Sequence, residues 1–87
     1  MKPVEIDVVA IFNRDKPPRP HMFKWQGNKY YVDYIGEIQE DTDNRGEFYR
    51  YYCRTNFGEK SHSVIEKVYE IRYYVHECTW ILEWIND

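Results

Sequence analysis

The chain contains little alanine, little cysteine and few glycines. Ala10 is its only alanine, and its 87 residues include two cysteines and four glycines. No run approaches the roughly 20 apolar residues of a transmembrane helix. Met1-Lys2-Pro3 leads into an alternating segment and not into the apolar core of a secretory signal. We therefore expect a cytoplasmic protein that does not enter a membrane, with both cysteines reduced.

The motifs of the common catalytic and metal sites are also missing. There is no P-loop and no dinucleotide fingerprint. The carboxylates from Glu37 to Glu47 crowd into one polar turn, where they lack the contrasting environments that acid–base catalysis needs. His76 and Cys78 form one imperfect pair, whereas a structural zinc site takes two pairs. Buried free cysteine is common, so Cys53 is predicted to be a core residue. We expect no catalytic residues, no metal, no cofactor and no enzyme activity.

Aromatic side chains are what the sequence has in abundance. It contains 3 Trp, 9 Tyr and 4 Phe, and each such side chain can bury about 150–250 Å². A domain of this size buries only about 60% of its unfolded surface, so bulky rings are needed to build a core. Aromatic and β-branched residues favour strands. We predict one all-β domain over residues 1–87.

Alternating patterns predict about six short antiparallel strands. Val4 to Phe12 reads as the first strand, and the segment NRDKPPRP after it reads as a loop. The final strand, around Trp80 to Ile85, is apolar on both sides and is predicted to be central in the sheet or to lie where the sheet curls over. Turns at regular spacing are typical of a small, strongly curled sheet or an SH3/OB-like barrel.

The stretch from Phe23 to Val32 predicts a hairpin. With Gly27-Asn28 at the centre of a two-residue turn, Trp25 pairs with Tyr30 and Phe23 with Val32 on one face. Lys24 then lies opposite Tyr31 on the other face. Cross-strand aromatic pairs stabilise such hairpins by about 0.2–1 kcal/mol each, so we interpret the rings as packing.

The charge distribution indicates a candidate binding surface. The net charge is −3, but residues 14–29 are basic and residues 37–47 are acidic, which suits a charged partner. The strand from Glu47 to Phe57 presents cations and an aromatic ring on one face, where a base could stack and phosphates could bind. The alternative is that its arginines only pair across the sheet with Asp33, Glu37 or Glu70. The candidate binding residues are Arg50, Tyr52, Arg54, Arg14, Lys16, Arg19 and Lys24.

The order of motifs F-x-W-x-G-x-x-Y-x-V, Y-E-I, W-x-L and I-x-D resembles a small bacterial domain-of-unknown-function family. Members are found with, or fused to, mutagenesis proteins similar to Y-family polymerases. The resemblance covers roughly residues 18–87 and implies an accessory role near DNA-repair or replication machinery, with no catalytic residues. This chain departs from the family's arginine-rich turn, because it has Gln26, Asn28 and Lys29 there. The matching residues are Phe23, Trp25, Gly27, Tyr30, Val32, Tyr69, Glu70, Ile71, Trp80, Leu82, Ile85 and Asp87.

Three functional hypotheses follow from the sequence. The first is a non-enzymatic module that docks on a protein partner, by strand addition at an exposed edge, and that could belong to a DNA-processing complex. The second is a single-stranded nucleic-acid-binding domain that uses the basic and aromatic face. The third is a self-associating structural domain, whose homodimer would bury an apolar outer face formed by Val9, Ile11, Ile81 and Ile85.

Overall fold

The computed structural model describes residues 2–57 and 65–86, and within these ranges every regular element is a strand. The predicted all-β fold and curled antiparallel sheet are confirmed, although the sheet has eight strands. No helix in the described ranges could cross a membrane. The strands are β1 (Val4–Glu5), β2 (Asp7–Ile11), β3 (Arg19–Trp25), β4 (Asn28–Ile35), β5 (Gln39–Asp43), β6 (Gly46–Phe57), β7 (Ile65–Tyr74) and β8 (Thr79–Asn86).

The strands follow one another across a single sheet in the order β1-β8-β7-β6-β4-β3-β2, and each neighbouring pair is antiparallel. β5 pairs only with β6, alongside its first half, while β4 pairs with the second half. The right-handed twist of strands curls such a sheet. Its inner face therefore encloses the core, and its outer face turns toward solvent.

The first predicted strand is divided at Ile6 into β1 and β2, which lie at opposite ends of the strand order. β1 pairs with β8, β2 pairs with β3, and the buried Ile6 donates its N–H to the carbonyl of Trp80 at 3.1 Å. One extended segment cannot pair with both ends of a curled sheet unless it bends. The bend at Ile6 provides this, and the two ends of the sheet meet there.

β5 is the other strand that the sequence did not predict. The sequence predicts a polar turn over EDTDNRG, yet β5 pairs in register with β6 from Gln39 opposite Arg50 to Asp43 opposite Gly46. All but the last of its residues are exposed. A charged edge strand lacks the apolar alternation by which strands are recognised.

The β3–β4 hairpin has a different register from the predicted one. Gln26 and Gly27 form the turn, with φ of 51° and 78°, so Phe23 pairs with Tyr30 and the predicted pairs are wrong. Positive φ at both central residues is the type I′ geometry. The difference amounts to two residues, and an even difference keeps every side chain on its predicted face.

The core lies inside the curl and is mostly aromatic. The rings of Phe23 and Tyr30 stack with centroids 5.2 Å apart, and Tyr69 meets Phe23 edge-on at 5.2 Å. The buried Tyr51 hydroxyl donates to the carbonyl of Pro18, which ties the proline-containing loop to the sheet. Other core members are Ile6, Cys53, Ile71, Tyr73, Trp80 and Leu82.

Of the two positions predicted for β8, the central one is wrong, because β8 lies near one end of the strand order, between β7 and the two-residue β1. Its inner side chains, including Leu82, enter the main core. On its outer side, Ile81 is buried in a second, small cluster with Phe48 and Tyr74. This second cluster explains why both sides of the strand are apolar.

Candidate functional site

The candidate row on β6 points outward, as predicted. Arg50 and Tyr52 lie on one side of the strand, while Tyr51 and Cys53 are fully buried on the other. The outer side of β5 to β8 also carries the acidic groups that face this row. We call this surface the arginine face and define it by Asp41, Asp43, Arg50, Glu70 and Arg72.

Arg50 is held in place by its neighbours on the arginine face. Its Nη2 lies 3.1 Å from Asp41 Oδ2, its Nη1 donates to Gln39 Oε1 at 3.1 Å, and its Nε lies 3.7 Å from Glu70 Oε2. The side chain is only 18% exposed. Glu70 was one of the expected partners, whereas Asp41 was missed because β5 was not predicted. The guanidinium of Arg50 therefore uses its donor groups for contacts within the sheet.

Glu70 is the centre of this network. It is 5% exposed and accepts hydrogen bonds from Arg72 Nε at 2.9 Å and from Trp84 Nε1 at 2.7 Å. A buried carboxylate needs such partners because an unpaired buried charge is very costly. Burial by itself lowers the pKa of Arg72, but hydrogen bonds to Tyr74 and Glu70 outweigh it and raise that pKa above its ordinary value.

The acidic residues of β5 complete the arginine face. Asp43 accepts a hydrogen bond from the Tyr74 hydroxyl at 2.6 Å, which lowers the pKa of Asp43. The backbone N–H of Thr42, and then Arg50, lower the pKa of Asp41. Both carboxylates therefore remain charged next to their cationic neighbours. The polar groups of this face are satisfied by one another.

The remaining members of the row, Tyr52 and Arg54, are divided between different neighbours. Tyr52 is half-buried, with its ring 6.5 Å from that of Trp84. Arg54 is exposed, and its guanidinium lies over the ring of Tyr34 on β4 at 5.6 Å from the ring centroid. The three residues of the predicted row, Arg50, Tyr52 and Arg54, therefore have different surroundings, and their role in binding stays a prediction.

The other predicted cations lie on the opposite part of the sheet. Arg14 and Lys16 are exposed in the loop before β3, and Arg19 and Lys24 are exposed near the two ends of β3. Within the described residues, none of these four takes part in an ion pair. Five residues of strand separate Arg19 from Lys24, roughly 17 Å.

The outer face of β2, β3 and β4 carries a surface that sequence reasoning only partly identified. Lys24 and Lys29 are directly opposite one another in the register. Like charges in that arrangement are destabilising. Asp7 is the cross-strand neighbour of Lys24 on β2, but within the described part of the chain neither lysine makes an ion pair. The predicted register placed Lys24 opposite Tyr31, so this pair was missed, although strand alternation already assigned Lys24 to the outer face.

An apolar row lies beside the lysine pair. Val9, Met22 and Tyr31 are cross-strand partners on β2, β3 and β4. Val9 is 57% and Tyr31 is 55% exposed, and the Tyr31 ring contacts no other ring in the described ranges. We call this surface the lysine–tyrosine face and define it by Val9, Met22, Lys24, Lys29 and Tyr31. It combines unpaired cations with an unpacked aromatic ring.

A groove of about 650 Å³ opens next to this face, at the bend where the two ends of the sheet meet. The half-buried Trp25 lines it together with Lys24, which also belongs to the lysine–tyrosine face. Two carboxylates, those of Glu5 and Asp7, line it as well. The remaining lining residues are Lys2, Val4, Ile6 and Gln26.

The two cysteines differ in their exposure. Burial raises the pKa of Cys53 to about 12, so its side chain is a thiol and not the nucleophilic thiolate. Cys78 is exposed and, like Cys53, forms no disulfide. In residues 2–57 and 65–86, no three His, Cys, Asp or Glu side chains are grouped so that they could hold a metal ion.

Comparisons of the chain with models of known protein families, with curated proteins and with solved structures find no match. The motif resemblance to the small bacterial family therefore stays a prediction. Functional interpretation depends on the two outer faces and the groove.

Proposed function

We propose that the chain is a non-enzymatic binding module whose lysine–tyrosine face binds single-stranded nucleic acid. The observation that carries this proposal is the facing pair of Lys24 and Lys29, which have no carboxylate partner in the described ranges and lie next to the exposed ring of Tyr31. A phosphate between the two ammonium groups relieves their repulsion, and Tyr31 offers a surface on which a base can stack.

The length of the surface along β4 supports an extended ligand. From Lys29 to Tyr34, β4 runs for five residues, roughly 16 Å, and the exposed ring of Tyr34 lies under the guanidinium of Arg54. Cations thus flank exposed rings at both ends of this stretch. Sequence-tolerant binding of single strands uses this combination of backbone charge and ring stacking.

The experiment is fluorescence anisotropy with a labelled mixed-sequence single strand at low and moderate salt. If about three phosphates are contacted, log K should fall with log salt with a slope of about −2, since each contact contributes about −0.7. Lys29→Gln should weaken binding and make the slope shallower. Arg45→Gln is the matched control, because Arg45 is also exposed but pairs with Glu77 at 2.7 Å, away from this face.

A second pair of variants separates stacking from charge. Tyr31→Ala should weaken binding by about 1–3 kcal/mol, the usual contribution of one stacked base, whereas Tyr31→Phe should retain it. Absence of binding at both salt concentrations, or affinity that does not respond to salt, would rule out this function.

Docking of an acidic protein surface is the second candidate. It is favoured by Val9 and Ile11, which are exposed on the same part of the sheet and provide apolar contact area without any stacking geometry. The family resemblance makes a DNA-processing complex the natural setting for such a partner. Tyr31→Leu distinguishes the two candidates, because an apolar contact tolerates the change and base stacking does not.

Strand addition at β5 and self-association through the apolar face have less support. The N–H of Thr42 on β5 already donates to Asp41 Oδ1 at 2.8 Å, so an added strand would have to displace that bond. The apolar face expected for a homodimer is interrupted, because Ile81 is buried in the second cluster and Ile85 packs against the main core. Only Val9 and Ile11 remain exposed from that set.

A further inference from the structure

We infer that the groove at the bend receives one base of the bound strand and selects guanine. This inference rests on the proposed function, because the groove continues the lysine–tyrosine face through Lys24, which belongs to both. A strand whose phosphate is bound at Lys24 can direct the neighbouring base into the groove.

The lining of the groove supports a base and argues against a phosphate. Trp25 is half-buried and lines the groove, and aromatic side chains stack on every base. Glu5 and Asp7 also line the groove, and their carboxylates repel phosphate. Lys2 and Lys24 line the groove as well, so its two cations and two carboxylates balance, and the groove offers a ring and acceptor groups without the excess positive charge that holds a phosphate.

The carboxylates determine which base fits. An ionised carboxylate only accepts hydrogen bonds, and it can accept two that are side by side. Guanine presents adjacent N1–H and N2–H donors on its Watson–Crick edge. The same edge of adenine and cytosine presents one amino group beside an acceptor nitrogen, and that of thymine presents one N–H between two carbonyls. A carboxylate in the groove therefore pairs fully with guanine alone.

Asp7 is well positioned for this pairing. It lines the groove together with Trp25 and is the direct cross-strand partner of Lys24. Asp7 and Glu5 are both exposed, and in the described part of the chain neither makes an ion pair. Their acceptor capacity is available to a ligand, and changing them should not disturb the core.

The test uses two labelled single strands that differ in one central base, guanine in the first and hypoxanthine in the second. Hypoxanthine keeps N1–H and lacks the 2-amino group, so the parent protein should bind the guanine strand at least about fivefold more tightly, since a bidentate contact discriminates by that factor or more. The double variant Glu5→Gln, Asp7→Asn should lose this preference and still bind the hypoxanthine strand. Glu77→Gln, which neutralises an exposed acid outside the groove, should retain the preference.

The possible outcomes separate the two proposals. If the parent binds neither strand, the proposed nucleic-acid function fails. If it binds both equally, or if the double variant keeps the preference for guanine, the function stands and guanine selection is wrong. Quenching of tryptophan fluorescence by the guanine strand should disappear in Trp25→Phe, and quenching that persists there would place the base elsewhere and overturn the groove assignment.

Discussion

On the arginine face, Arg50 and Arg72 both reach carboxylates, whereas on the lysine–tyrosine face Lys24 and Lys29 reach none within the described residues. The charged groups of the arginine face are paired with one another. The lysine–tyrosine face contains the like-charge pair of Lys24 and Lys29, which packing of the sheet does not require. The difference teaches that cations of one sheet can have opposite roles, which depend on whether carboxylates come close enough to pair with them. Asp41 and Glu70 pair with Arg50, whereas Asp7, the cross-strand neighbour of Lys24, makes no ion pair with it.

The largest effect should come from removing the carboxylate at the centre of the arginine face. Glu70→Ala leaves the guanidiniums of Arg50 and Arg72 without their buried partner, and breaking a buried pair costs about 3–5 kcal/mol. Urea denaturation measures the loss of unfolding free energy. The matched control Glu77→Ala removes an exposed pair and should cost less than about 1 kcal/mol. Equal losses in the two variants would mean that the arginine face does not stabilise the fold.

The second-largest effect should come from lowering the pH, which protonates the carboxylates of Asp41 and Asp43 on the arginine face. The pKa values of Asp41 and Asp43 lie below the ordinary 3.8, so their contribution to stability is present above that pH and is lost as pH falls through the folded values. The urea midpoint of the parent should therefore drop steeply below about pH 4. Asp43→Asn should make this drop shallower, and so should Tyr74→Phe, which removes the hydrogen bond to Asp43. Unchanged profiles in both variants would contradict this assignment.

The smallest effect, and one of opposite sign, is expected on the lysine–tyrosine face. Lys29→Gln removes the repulsion with Lys24 and should leave the unfolding free energy unchanged or raise it by up to about 1 kcal/mol. The same variant is expected to weaken nucleic-acid binding, so affinity and stability should change in opposite directions. A clear loss of stability in Lys29→Gln would show that this lysine has a structural role and would remove the contrast between the two faces.

Strand periodicity predicted the faces of the sheet correctly because alternation depends only on the parity of each position. It predicted that Tyr51 points inward and Arg50 outward. It did not predict what lies beside Arg50, because β5 consists of polar residues and gives no apolar alternation.

The sequence pattern also did not determine the register of the β3–β4 hairpin. Gly27-Asn28 and Gln26-Gly27 are both acceptable turn centres, and the two choices leave the same side chains inside. The choice between them depends on core packing, such as the stacking of Phe23 on Tyr30. It also decides whether Lys24 faces Tyr31 or Lys29, and the candidate site depends on that decision.

The bend at Ile6 has a consequence for how the chain acquires its structure. Val4 pairs with Leu82, so the contact that unites both edges of the sheet joins the earliest strand to the latest one. Contacts between segments so distant in sequence carry a large entropic cost before they return any energy. We expect the hairpins to form early during refolding and the seam between β1 and β8 to form last. During translation, that seam has to wait until the ribosome has released β8.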